Sequence, residues 1–267
     1  MRLLNSMDGS LRGQKQVEII IADGGSTDGQ TLKYYDILRR NGAAKVFCGK
    51  GMPMPALLNA AAKEADRENC LFMDSNVEAL GINWLHDMLS QSERRGCGGV
   101  GPKLIGQDGR LVYTGITIGI GGWQGSPYAG TPDDRESGQK LRFTGTLRTV
   151  SALSWVCMMT PMDLFFNAGC FDESFNETGF DTEYCTRLDR RGYSLIYAPN
   201  VVMKYHGRIQ KVADADGQDR MRYYDTVRDT LIRGDPRYNN NFDYALPSPR
   251  IAVRPRPAAE LNELYRK

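Results

Sequence analysis

With 267 residues the chain is long enough for one large α/β domain or two small ones, and it can bury a substantial core. Charged residues make up 25% and hydrophobic residues 41%, the balance of an ordinary soluble globule, and a net charge of +2 gives no global pull toward nucleic acid. No apolar run approaches the ~20 residues of a membrane helix, and the opening MRLLNSMDGS has no signal-peptide core.

Residues 17–22 (VEIIIA) form a short apolar run that predicts a buried strand, followed by the loop DGGSTDG. Leu32, Tyr35, Ile37 and Leu38 predict a helix that stops at Asn41-Gly42. KVFC (45–48) reads as a second strand, the alanine-rich 56–65 as a helix, and CLFM (70–73) as a third strand broken by Asp74-Ser75-Asn76. Trp84, Leu85, Met88 and Leu89 share one helix face. This alternation predicts a parallel sheet covered on both sides.

Residues 98–146 are glycine-rich and read as strands and long loops that line a site. Strand character returns over 150–160, with a short helix over 162–168 and another over 181–191. Residues 194–198 and 201–205 read as two strands split by Pro199-Asn200, and 219–233 as a polar surface helix. From Pro247 the chain carries four prolines and mostly basic charge, which predicts a mobile or docking extension. Cys48, Cys70, Cys97, Cys157, Cys170 and Cys185 are scattered without C-x-x-C pairs. They predict buried thiols in a reducing compartment, with a zinc site as the weaker alternative.

Four places carry candidate chemistry. Gly24-x4-Gly29-Gln30-Thr31 is a near miss to a phosphate-binding P-loop, but Gln30 stands where the lysine should and Asp28 puts an anion inside the cradle. Asp23 is either an acceptor for a nucleoside at the carboxyl end of a strand, or with Ser26 a cap of the next helix. Asp74 and Asn76, at i and i+2 after a strand, either reach one cation of the magnesium or manganese type or form a turn. Asp181, with Glu183 in the same first helical turn, is either an N-terminal cap or a general base, and the helix dipole is expected to lower its pKa and keep it ionised. His206, one of two histidines, becomes a metal ligand only if Asp74 and Asn76 lie nearby.

Taken together and in order, these segments resemble the family 2 glycosyltransferases of the GT-A fold, most closely bacterial rhamnosyltransferase-type enzymes of O-antigen and other surface polysaccharides. IIIADGGSTDG resembles the family's nucleotide-binding strand-loop, and ALLNAAAKEA its segment with an asparagine, here Asn59. LFMDSNVEALGINWL resembles the metal-site strand, VGPKLIGQDGRLVYTGI the middle strand, and SALSWVCMMTPMDLFFNAGCFDESF the acceptor-side segment. FDTEYCTRLDRRGYSLIYAPNVVMKYH and DPRYNNNF are similar to the closing blocks.

The resemblance, over residues 17–245, implies a Rossmann-like three-layer α/β/α domain with a mostly parallel central sheet, spanning residues 1–246, with 247–267 as a basic proline-containing tail. It implies that Asp23, with Ser26, Asn59 and Asp74, binds a nucleotide sugar, and that Asp74, Asn76 and His206 hold Mn2+ or Mg2+. Asp181 is then the base, Glu183 a supporting carboxylate and Trp155 an acceptor contact. The implied reaction is inverting transfer from a nucleoside-diphosphate sugar to a glycan or lipid-linked glycan, in the cytoplasm at the inner face of the membrane, with peripheral membrane association and a second glycosyltransferase domain as further partners and no nucleic acid. Three departures stand out. Residues 1–16 look like the end of a helix that follows a strand the family normally carries, Asn76 replaces an aspartate, and Gly24 replaces a second acid. They make a truncated, catalytically inactive binding module the alternative.

Overall fold

The structure, a computed structural model, describes residues 2–11, 16–133, 143–251 and 254–262. Helix α1 (Arg2–Leu11) is followed by strand β1 (Ile20–Asp23), helix α2 (Gly29–Arg40) and strand β2 (Lys45–Cys48). Asp28 caps α2 by accepting the Thr31 amide hydrogen at 2.8 Å, and Gly42 closes the far end with a φ of 63°, a conformation that costs a glycine least. Next come α3 (Met54–Ala62), β3 (Asn69–Met73), β4 (Val77–Ala79), α4 (Trp84–Ser92) and the long strand β5 (Cys97–Ile105). Short strands β6 (Leu111–Tyr113), β7 (Thr117–Ile118), β8 (Gln124–Gly125) and β9 (Arg148–Thr149) precede β10 (Cys157–Pro161). Helices α5 (Met162–Asn167) and α6 (Phe180–Arg190), strand β11 (Ser194–Tyr205) and helices α7 (Gly217–Arg233) and α8 (Ala258–Leu261) follow, with short 3-10 turns at Ile120–Gly122 and Val212–Asp214.

The main sheet has seven strands in the order β3-β10-β5-β11-β4, with β6 beside β5 and β9 beside β11. The α/β expectation holds, but the sheet is mixed rather than mostly parallel. Among the described residues β3, β5 and β11 share one direction, but β5–β11 is the one adjacent parallel pair of this sheet, because β10 returns antiparallel between β3 and β5. A parallel return needs a long crossover, usually a helix. The described residues between β5 and β10 supply mainly short strands and loops. The pair β1–β2 is parallel and forms a sheet of its own, so one edge of β1 and one edge of β3 carry no ladder partner among the described residues.

The core sits between the main sheet and α4, α5 and α6. Phe72, Phe165, Phe171, Phe180 and Tyr184 form one aromatic cluster with ring centroids 4.8–5.5 Å apart. Tilted and edge-on pairs of this kind contribute about 0.5–1.5 kcal/mol each beyond area burial. They bind the turn after α5 to the start of α6. The glycines of β5 belong to this packing and not to a loop. A Cβ on Gly99 would lie 3.0 Å from Leu153 Cδ1, and one on Gly101 2.9 Å from Leu153 Cδ2.

Three other expectations change, and of the two given for the tail the docking one holds for its described part. Strand β11 is continuous, because a register shift between Ala198 and Val202 absorbs Pro199-Asn200. Helix α7 is amphipathic, with Tyr223, Val227 and Leu231 buried. The described part of the tail docks, with Ala258 and Asn262 buried and Asn262 Nδ2 donating to the Gly122 carbonyl; residues 252–253 and 263–267 lie outside the described residues. All six cysteines are free thiols, and Cys48 is exposed rather than buried.

Candidate functional site

Strand β3 ends at Met73, the next residue Asp74 is half-buried, and the chain turns at once into β4. Asp74 and Asn76 do not meet by strand alternation. They meet in a tight turn, where Asp74 Oδ1 accepts the Asn76 backbone N–H at 2.7 Å and its Nδ2 at 2.9 Å. Strand β11 runs beside β4 with Tyr205 opposite Val77, and the His206 N–H donates to the Asn76 carbonyl at 2.9 Å. On the other side the Asp74 N–H donates to the Val156 carbonyl at 2.9 Å, and the neighbouring Trp155 N–H donates to Asp181 Oδ2 at 3.2 Å. Residues remote in sequence, Asp74, Asn76, Trp155, Asp181 and His206, therefore lie along one hydrogen-bonded path.

Asp181 occupies the first turn of α6, after Gly179, whose φ of 95° lets the chain turn sharply into the helix. The loop before it is held by Asp219 of α7, which is buried and accepts the backbone N–H groups of Asn176, Glu177 and Thr178 at 2.9, 3.0 and 3.1 Å. Asp181 itself is buried. Its Oδ1 accepts the Thr182 N–H at 2.8 Å and its Oδ2 the Trp155 N–H. Burial pushes its carboxyl up to about 6, against the lowering effect of these bonds. The expected lowering of this pKa is thus overturned, because desolvation outweighs the hydrogen bonds at the start of the helix.

Asp23 is buried as well, but its own loop satisfies it. It accepts from the Gly25 and Ser26 N–H groups at 3.1 Å and from the Tyr35 hydroxyl at 3.2 Å, and Ser26 Oγ donates to it too. Burial alone would raise its pKa, yet the bonds from Ser26, Gly25 and Tyr35 win and hold it below the usual carboxylate range. The cap of the next helix is Asp28, not Asp23 or Ser26. Thr31 spends both its N–H and its hydroxyl on Asp28, which removes the P-loop reading.

Asn59 and Glu183 lie together in a different place, a cleft of about 510 Å³ also lined by Lys63, Glu173 and Arg187. The buried Asn59 amide donates to the Phe171 carbonyl at 2.8 Å and accepts the Phe171 N–H at 3.0 Å, which ties α3 to the turn before α6. Glu183 pairs with Arg187 through two bonds of 2.7 and 2.8 Å. Both residues are therefore occupied by structural bonds. Glu78, unremarked in the sequence, pairs with His206 Nε2 at 2.6 Å, and this bond lowers the Glu78 carboxyl pKa. The period-two reading that linked Asp74 to Asn76 would have reached Glu78 one step further. Among the described residues no cluster of three or more His, Cys, Asp or Glu could hold a metal ion, and no helix is long and apolar enough to cross a membrane.

No family model matches the chain. It is 28% identical over 242 residues to the O-antigen biosynthesis protein RfbC of Myxococcus xanthus, covering 89% of this chain and 19% of that protein. It is 27% identical over 254 residues to the uncharacterized protein y4gI of Sinorhizobium fredii, covering 88% of this chain and 27% of the other. The chain thus spans about a fifth to a quarter of the length of these curated relatives. Among solved structures it is similar to GalNAc-T7 with UDP, GalNAc and Mn2+, with a TM-score of 0.64 at 14% identity over 85% of this chain and 45% of that one. It is also similar to S. aureus TarS 1-349 in complex with UDP-GlcNAc, with a TM-score of 0.55 at 17% identity over 88% and 62% of the two chains. A mannosyltransferase from Pyrobaculum calidifontis in complex with GDP-Man and Mn2+ gives a TM-score of 0.52 at 15% identity over the same shares, 88% and 62%. A mixed sheet flanked by helices, with acidic turns at its strand ends and these structural neighbours, gives this chain the fold of the GT-A glycosyltransferases.

Proposed function

We propose that this domain is an inverting glycosyltransferase that moves a sugar from a nucleoside-diphosphate donor to a glycan or lipid-linked glycan of the cell surface. The observation that carries the reading is the hydrogen-bonded path from Asp181 through Trp155, Val156 and the Asp74–Asn76 turn to His206. A carboxyl with a pKa of about 6 is ionised at neutral pH and still basic enough to take a proton. Asp181 removes the proton of an acceptor hydroxyl. The freed electron pair forms a bond to the anomeric carbon on the face opposite the diphosphate, and the carbon–oxygen bond to the diphosphate breaks with its electrons leaving on that oxygen. The configuration at the carbon therefore inverts. Trp155 flanks the base, with its ring 6.1 Å from that of Phe180, and is the acceptor-side surface.

Asp74, Asn76 and His206 are the residues to hold a divalent cation, Mn2+ or Mg2+. Their donor set fits one: carboxylate and amide oxygens suit a hard ion, and His206 Nδ1 is buried without a hydrogen-bond partner. Such an ion supplies charge neutralisation at the leaving diphosphate. Asp23 and Ser26 are the nucleoside side of the same reading, reached through the loop that closes on Asp23. The setting is the cytoplasmic face of the membrane, with association to a second glycosyltransferase domain.

A second reading, a binding module without catalysis, is favoured by two observations. The β1–β2 pair stands apart from the main sheet, and the Asp23 oxygens are already occupied by their own loop. A thermal-shift panel of nucleoside-diphosphate sugars with and without Mn2+ separates the two. Binding at 100-fold over Kd adds about 2.7 kcal/mol of stability, so a matching donor raises the Tm, and more so with Mn2+. A flat panel would sink the enzyme reading in favour of the module.

A further inference from the structure

The two ring nitrogens of His206 meet different surroundings. Nε2 lies 2.6 Å from Glu78 Oε2, whereas Nδ1 is buried and has no hydrogen-bond partner. The His206 side chain is 12% exposed and that of Glu78 30%. The backbone fixes this meeting. Glu78 pairs with Lys204 in the β4–β11 ladder, and the N–H of His206 is bonded to the Asn76 carbonyl two residues before Glu78. An ionised carboxylate only accepts, so the hydrogen between the two groups sits on Nε2. In the neutral ring Nδ1 then carries the lone pair, and a buried lone pair left without a partner is unfavourable.

We propose that Glu78 is the positioning residue of the cation site: by accepting the Nε2 hydrogen it fixes the tautomer and ring orientation of His206, and so makes Nδ1 the nitrogen that ligates a divalent cation. The inference rests on the metal reading given under the proposed function. It assigns Glu78 the place of an outer carboxylate that orients a ligating imidazole and raises its basicity. A plain ion pair between neighbouring strands would use the same 2.6 Å bond but would leave cation affinity indifferent to Glu78.

The test begins on the metal-free protein. With the exposed His86 changed to Gln, His206 is the remaining one of the two histidines, and the 15N shifts of its ring report the tautomer at pH 8. The expected result is hydrogen on Nε2, kept in Glu78→Gln, whose amide oxygen still accepts, and lost to a mixture of tautomers in Glu78→Leu. Titration with Mn2+ alone, followed by its electron paramagnetic resonance signal, should show Glu78→Leu weakening the affinity by about 10–100-fold, and Glu78→Gln weakening it much less. Hydrogen on Nδ1 in the parent protein, or an unchanged Mn2+ affinity in Glu78→Leu, overturns the inference. His206→Ala keeps the two failures apart. If it leaves Mn2+ binding intact, the metal reading itself falls and this inference with it. If it weakens binding while Glu78→Leu does not, only the role of Glu78 falls.

Discussion

Asp181 and Asp23 are both buried carboxylates at an element boundary, and their surroundings push them in opposite directions. Asp181 sits beside an aromatic cluster and the α7 clamp, and desolvation outweighs the bonds from Trp155, Thr182 and Ser154, so its carboxyl rises to about 6. Asp23 has burial against it too, but Ser26, Gly25 and Tyr35 together hold it below the ordinary range. Their supports differ as well. The region around Asp181 is packed in rings, with Phe171, Phe175 and Phe180 buried. Around Asp23, by contrast, α2 has no buried residue, and Ile20, Ile21 and Ala22 of β1 are only half-buried. Poor solvation keeps the carboxyl of the proposed base basic. A carboxylate that shapes its own loop needs only local donors, and tolerates a looser frame.

The largest effect expected on this contrast is catalytic. Asp181→Asn should lower the transfer rate by about 10²–10⁴-fold while leaving nucleotide-sugar binding intact, measured by initial rates and calorimetry on the same protein. An equal rate loss from Asp23→Asn, with binding preserved, would break the distinction between the two carboxylates. Next in size is packing. Phe171→Ala should cost about 3–5 kcal/mol in denaturant unfolding, whereas Ile37→Ala on α2 should stay within about 0.5 kcal/mol.

The pH dependence of stability should carry opposite signs. Asp181 has a folded pKa above its unfolded value, so its protonated form is favoured by folding, and stability falls as pH rises from about 4 through about 6. Two pK units correspond to about 3 kcal/mol, and this falling component should vanish in Asp181→Asn. Asp23 has a lowered folded pKa, so it contributes stability above its unfolded value and loses it as pH drops through the folded one. Its variant should therefore lose stability at neutral pH and converge with the parent in acid. The transfer rate should also decline as pH falls below about 6, as the base becomes protonated. The finest measurement is amide exchange. Ile20–Asp23 should open at a lower free energy than the buried Leu195–Ala198 stretch of β11, and equal protection in the two would show that β1 is held as firmly as the core.

Much of the element map was legible because it depends on local chemistry. Asn41-Gly42 stops α2, the Asp74-Ser75-Asn76 turn ends β3, and the apolar spacing of Trp84, Leu85 and Met88 builds α4. Strand direction was not legible, since nothing within 157–161 says that β10 will insert antiparallel between β3 and β5. The bulge that lets β11 cross Pro199 was equally hidden, because its neighbour β5 supplies the register. The family motifs marked Asp181, Asp74, Asn76 and His206, but motifs name residue types and not their partners. Asn59 and Glu183 are bonded to Phe171 and Arg187, partners that no motif names.

The sequence by itself determined the α/β class, the order of most elements and the short roster of polar residues that end strands or begin helices. These follow from period, turn chemistry and capping, which act over a few residues. Only the tertiary structure decided which of those residues meet, which way each carboxyl pKa moves, and which nitrogen of His206 is left without a partner. Burial and desolvation are set by groups far apart in the chain, so no local spacing can report them.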